Sequence, residues 1–176
     1  MSKRSGWTLK IILGLAVVAA GIQFIPVDRS NPPVAQSALA APSQEVGDIL
    51  RAACYDCHSN ETTWPWYSRV APASWLLADH VSEGRSELNF STWGEQQPRR
   101  MDHKLEELVE KVRDGEMPLK SYALIHPQAR LTDEERQVLI AWARDARAQL
   151  DVPADQRLEH GEERESGERG TGERDR

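Results

Sequence analysis

Five consecutive residues carry the most specific chemistry in this chain: Cys54-Tyr55-Asp56-Cys57-His58. Two thiols three positions apart, followed at once by an imidazole, make the pattern C-x-x-C-H that a c-type haem attachment site requires. Each thiol can form a thioether to one vinyl group of the same porphyrin, and the histidine is then placed to reach the iron from one face. Cys54 and Cys57 are the only cysteines, so no disulfide framework competes for them. Two other chemistries use paired thiols. A closed zinc site needs four ligands, and neither a second Cys-x-x-Cys nor a close histidine pair supplies the rest. A thioredoxin-like dithiol belongs in a βαβ pattern, whereas the flanks here read as helix and aromatic loop. The residues therefore favour covalent haem on Cys54 and Cys57, with His58 on the iron.

The opposite axial position decides the chemistry. A thioether there raises the reduction potential, and two strong ligands suit the iron to electron transfer. A weakly filled position admits small ligands instead. Met1 precedes an apolar segment and His160 lies in a charged tail, which leaves Met101, Met117, His80, His103 and His126. Met117 is favoured, because it follows a helix stop at Gly115 and precedes Pro118 on a stiffened loop. The competing use of Met117 is core filling, the commonest use of methionine, and Met101 or one of the three histidines then takes its place. His80 reads as a solvated or satisfied histidine. Arg85, Arg99 and Arg100 are candidates for pairing with a haem propionate, since guanidinium suits carboxylate.

Several elements must position these groups. Lys3, Arg4 and Lys10 precede an uncharged apolar run, and Trp7–Val27 spans about 21 residues, close to the ~20 a membrane-crossing helix needs. Positive charge before the run directs its C-terminal end away from the cytoplasm. A cleaved signal peptide is the competing reading, with Ala38-Leu39-Ala40 as its best cleavage site. That site lies far beyond the apolar run and past Pro26, Pro32 and Pro33, so an uncleaved anchor over residues 1–27 is expected. Residues 28–42, with Asn31-Pro32-Pro33, read as an extended Pro-rich tether.

The haem-binding domain is expected over residues 43–150 as a small all-α unit of about four helices. Ser43 caps the first helix, with Glu45 in its first turn, and Val46, Ile49, Leu50 and Ala53 form a stripe running into Cys54. Trp64-Pro65 disfavours helix, so an aromatic loop follows His58. A second helix is predicted over 72–84, with Trp75, Leu76 and Ala78 inward and Gly84 near its end. Residues 86–100 read as a loop whose aromatics cover one edge of the pocket. A third helix is predicted over 102–114, with Leu105, Leu108, Val109 and Val112 inward and Gly115 as its stop. Thr132-Asp133-Glu134-Glu135 is a capping box opening the last helix, behind which Leu139, Trp142, Ala143 and Ala146 form an apolar face. The segment 151–176 is a Glu/Arg/Gly tail that buries too little to order itself.

Composition narrows the functional classes. The chain of 176 residues carries a net charge of −6, which gives no basic patch for nucleic acid. Six tryptophans are many for this length, and Trp64, Trp66 and Trp75 follow the thiol motif, where a large flat cofactor needs aromatic packing.

The order of parts resembles a monohaem class I cytochrome c: an N-terminal helix into C-x-x-C-H, a distal methionine on a late loop, and a C-terminal helix crossing the first. The chain more closely resembles the bacterial haem-binding-domain family. The carrying segments are Asn31-Pro32-Pro33-Val34, Ala53 through Asn60, Trp64-Pro65-Trp66-Tyr67-Ser68, Ala71-Pro72 with Ser74-Trp75, Glu83-Gly84-Arg85, Leu88-Asn89-Phe90-Ser91, and Met117-Pro118 through Tyr122 to His126-Pro127. This resemblance covers about residues 22–148. It implies a membrane-anchored or periplasmic protein with haem c on Cys54 and Cys57 and iron on His58. The expected function is single-electron transfer with an unidentified redox partner protein, and not enzymatic turnover. The alternative is a haem-based gas or redox sensor with a displaceable distal ligand. No Arg/His pair is placed convincingly for a peroxidase.

Overall fold

Ser43 caps the helix that follows it as its sequence predicts, its side chain accepting a hydrogen bond from the Val46 amide. The computed structural model describes residues 3–153, and within them the secondary structure is all helical. The helices are α1 (Lys3–Gly21), α2 (Gln44–Ala53), α3 (Tyr55–His58), α4 (Ala73–Glu87), α5 (Pro98–Arg113), α6 (Lys120–Ile125) and α7 (Asp133–Gln149). The charged tail lies, from residue 154 on, outside the described residues.

A single apolar core joins α2, α5 and α7. Val46, Ile49 and Leu50 meet Leu105, Leu108, Val109 and Val112 of α5 and Leu139, Ile140, Trp142 and Ala143 of α7. The predicted stripe of α5 is buried, and so is that of α2 except for Ala53, which lines the cleft. α5 and α7 pack most extensively, and α7 also packs on α2. A bidentate ion pair pins α5 to α7: Arg147 Nε and Nη2 donate to the two oxygens of buried Asp102 at 3.1 and 2.9 Å. Thr132 and Glu135 form the capping box that starts α7.

Three elements differ from the sequence reading. α4 runs on past Gly84 to Glu87 and buries Ser74, Leu77, Val81 and Gly84, while Leu76 is 60% exposed. Gly84 does not stop the helix; a Cβ there would stand 2.6 Å from the Cys57 carbonyl oxygen. The glycine is what lets α4 lie against the thiol motif. The stretch read as a loop over 86–100 holds a 3₁₀ segment, Phe90–Glu95, opened by an Asn89 cap on the Ser91 amide, and α5 already begins at Pro98. Proline at the first helical position is pre-set for that start. Finally, α6 was not expected.

Residues 28–42 are extended, but they are folded onto the domain. The Ala35 and Leu39 amides donate to Ser91 and Phe90 carbonyls at 3.0 and 2.8 Å, and Gly94 donates to Ser37 at 2.8 Å. Leu39 packs against the core. Before them, α1 and the 3₁₀ turn Ile22–Phe24 are long and apolar enough over Trp7–Phe24 to cross a membrane.

Candidate functional site

The stripe of α2 delivers the thiol motif to the edge of the core. The helix breaks at Cys54 (φ −124°, ψ −39°), and the chain turns once more through α3, so Cys54, Cys57 and His58 line one cleft beside α4. The cleft has two lobes, of about 270 and about 300 Å³, which share Ala53, Cys54, His58, Glu87, Met117 and Pro118. Leu88, Phe90, Leu108, Val112 and Leu131 give the first lobe apolar walls; His80, Glu83, Gly84, Leu119 and Tyr122 line the second.

His58 is held in one tautomer. Its Nδ1 lies 2.9 Å from the Gly84 carbonyl and 3.0 Å from that of Leu88. Carbonyls only accept, so Nδ1 carries the proton and Nε2 keeps its lone pair. Burial lowers the imidazole pKa, against the raising effect of the two carbonyls. The ring is thus neutral at pH 7, the form that binds a metal.

The thiols are the opposite of a redox dithiol. Burial, with Cys57 beside it, pushes Cys54 up to about 12. Burial and then Asp56 push Cys57 up to about 11. Reactive dithiols have depressed values, whereas both of these stay protonated at neutral pH. Among the described residues no group of three or more His, Cys, Asp or Glu side chains could hold a metal ion. Two neutral thiols and a tautomer-fixed imidazole on an apolar cleft fit a covalently attached porphyrin.

Met117 is brought to the same cleft by the end of α5. Gly115 adopts φ +68°, a left-handed conformation that only glycine takes freely. The Glu116 amide then donates to Lys111 and the Gly115 amide to Val112, closing the helix in a Schellman arrangement. The Met117 amide also returns to the Lys111 carbonyl at 3.1 Å, which folds the methionine back over the helix end. His80 lines the second lobe and is half-buried. The other candidates line neither lobe: Met101 packs on the core, His103 faces Glu107 at 3.5 Å, and His126 Nε2 meets the Tyr67 hydroxyl at 3.1 Å.

Two groups of candidates stand off the cleft. Arg85 lines neither lobe; it donates to Ser59 O, Ser30 O, Asn31 Oδ1 and Thr62 Oγ1 at 2.8–2.9 Å, tying the segment after α1 to the loop after His58. Arg99 and Arg100 also stand off the cleft, whose cations are Lys104 and Lys111. Sequence reasoning missed both lysines; each carries a carboxylate partner, Lys104 on Glu87 and Glu107, Lys111 on Glu116. Nor do Trp64, Trp66 and Trp75 line the cleft. Its aromatics are Phe90 and Tyr122, while Trp93 sits in the core. The apolar stripe of α5 carried a usable signal, since Leu108 and Val112 face both the core and the first lobe.

Comparison with known proteins agrees with this geometry. No curated protein and no solved structure matches the chain. The family model described as haem-binding domain matches residues 17–145, from within α1 to the middle of α7. By the extent of that match, the chain is a member of the haem-binding domain family.

Proposed function

We propose that this protein is a membrane-anchored c-type haem protein that transfers single electrons on the extracytoplasmic, periplasmic side of the inner membrane. Cys54 and Cys57 would attach the haem, and His58 and Met117 would hold its iron. The observation that carries the proposal is that all four residues line one cleft, with the His58 tautomer fixed by two carbonyls. Bound haem supplies the one-electron redox step. The protein's share is attachment, axial ligation, exclusion of water by the apolar walls and presentation of an edge to an unidentified redox partner. No residue is assigned to catalysis.

Retention of the anchor draws on two observations. Lys3, Arg4 and Lys10 stand in the first half of α1, ahead of its uncharged apolar run, which directs the domain outward. Cleavage after Ala40 would also cut away Leu39, which packs on the core and donates to Phe90.

The test is maturation in a host able to attach c-type haem, followed by absorption spectra of wild type and Met117→Ala in both oxidation states. Wild type should keep its pigment after denaturation and show low-spin bands; the variant should lose the low-spin reduced spectrum. No covalent pigment would sink the attachment. An unchanged variant spectrum removes Met117 from the iron and leaves His80, which lines the same lobe. The second reading, a gas or redox sensor with a displaceable distal ligand, draws on the lobe of about 300 Å³ beside Met117. Ready carbon monoxide binding by reduced wild type at neutral pH would favour it.

A further inference from the structure

The junction of α1 with the domain encloses a second, smaller cleft that the haem chemistry does not use. It measures about 140 Å³ and is lined by the exit segment of α1 together with Arg29, Arg69, Ala71 and Ser74. Specific bonds set its place. Gln23 Oε1 accepts from the Ala71 amide at 2.9 Å, Gln23 Nε2 donates to the Ala71 carbonyl at 3.3 Å, and Arg29 Nη1 donates to the Ser68 carbonyl at 3.2 Å. Two guanidinium groups therefore stand where the chain leaves its apolar helix. No carboxylate lines the cleft. Arg69 forms no hydrogen bond or ion pair with the described residues.

The surroundings match a membrane surface. Phe24 at the end of the apolar segment is 86% exposed, and Trp66, on the same 3₁₀ turn as Arg69, is 78% exposed. Tryptophan settles at the headgroup level of a bilayer while phenylalanine is apolar enough to enter it, and guanidinium grips phosphate with two parallel hydrogen bonds. We propose that this cleft binds the phosphate of an anionic phospholipid headgroup, with the acyl chains running along α1, and so sets the tilt of the haem domain on the bilayer. This rests on the reading of α1 as a retained membrane helix.

The test uses full-length, haem-loaded protein. Alkaline carbonate extraction of membranes comes first: release of wild type would overturn the anchor and the lipid site with it. Retained protein is then taken into mild detergent and titrated with phosphatidylglycerol or phosphatidylcholine, with bound lipid counted by native mass spectrometry. Wild type should hold one phosphatidylglycerol in preference to phosphatidylcholine. Arg69→Gln should weaken that retention about fivefold with no change in thermal unfolding, since the side chain makes no internal bond. Arg29→Gln/Arg69→Gln should weaken it further. Equal retention by the double variant, or equal retention of the two lipids, overturns the cleft while leaving the anchor standing. Displacement by inorganic phosphate at matched concentration would make the cleft a general anion site and overturn the lipid assignment.

Discussion

The side of the domain built from α2, α5 and α7 and the side that carries the thiols are held by different forces. The first is closed by apolar side chains meeting in one core, with one buried ion pair across it. The second buries Ser59, Asn60, Thr62 and Ser91 and fixes backbone to backbone through them. Ser59 Oγ donates to Tyr55 O; the Asn60 amide donates to Ser91 Oγ and its Nδ2 to Pro33 O; Thr62 Oγ1 donates to Asp56 O. The difference has a physical reason. The α5 wall of the cleft is the core itself, through Leu108 and Val112, whereas the thiol segment lies beyond that core and is held by directional bonds on its outer side.

The largest expected effect lies on the apolar side. Arg147→Ala leaves Asp102 buried without its bidentate partner and should destabilise the protein by about 3–5 kcal/mol. Haem content per folded molecule should stay the same. Urea unfolding with a pigment assay checks this, and a loss of pigment in the folded fraction would erase the contrast between the two sides. Gly84→Ala should cost about 3 kcal/mol, because the added methyl meets the Cys57 backbone and has no flexible side chain to push aside. Here covalent haem should fall along with stability. Arg85→Met removes four charge-assisted bonds from a partly exposed side chain and should cost about 2 kcal/mol. Hydrogen exchange should then quicken at residues 30–31 and 59–62 and remain unchanged in α7.

The smallest effect is a pH dependence of the haem-free protein. The folded His58 pKa lies below the ordinary 6.5, so the unfolded chain binds the extra proton first. Stability is therefore complete above pH 6.5 and declines as pH falls through that value towards the depressed one, by at most about 1.4 kcal/mol per unit. His58→Gln should flatten the slope between pH 6.5 and 5.5; an unaltered slope would assign it to other groups.

Much of the apolar side was legible beforehand. Ser43, the Thr132–Glu135 box and the stripes of α2 and α5 are local signals, and each caps or buries as its spacing implies. Gly115 was likewise readable as a stop. The polar side was not, because the hydrogen bonds of Asn60 and Arg85 join residues 23 to 55 positions apart and leave no periodic trace. Gly84 looked like a helix end, and only its distance to Cys57 shows why glycine stands there. Arg85 looked available for a propionate until its four acceptors were in view. α6 has six residues and no side-chain cap at Leu119, so nothing local announces it. Pro98 is a local start signal for α5, set in a polar stretch without periodicity.

One bond joins the two rims of the cleft. The Tyr122 hydroxyl donates to Asp56 Oδ2 at 2.5 Å, and burial together with that carboxylate keeps the phenol protonated. Asp56 stands between the two cysteines, and Tyr122 belongs to the helix that follows Met117. The phenol is thus a rigid strut spanning the mouth: the gap between the attachment segment and the methionine-bearing segment is gauged by one aromatic ring, and any outward swing of Met117 with α6 must first unhook it.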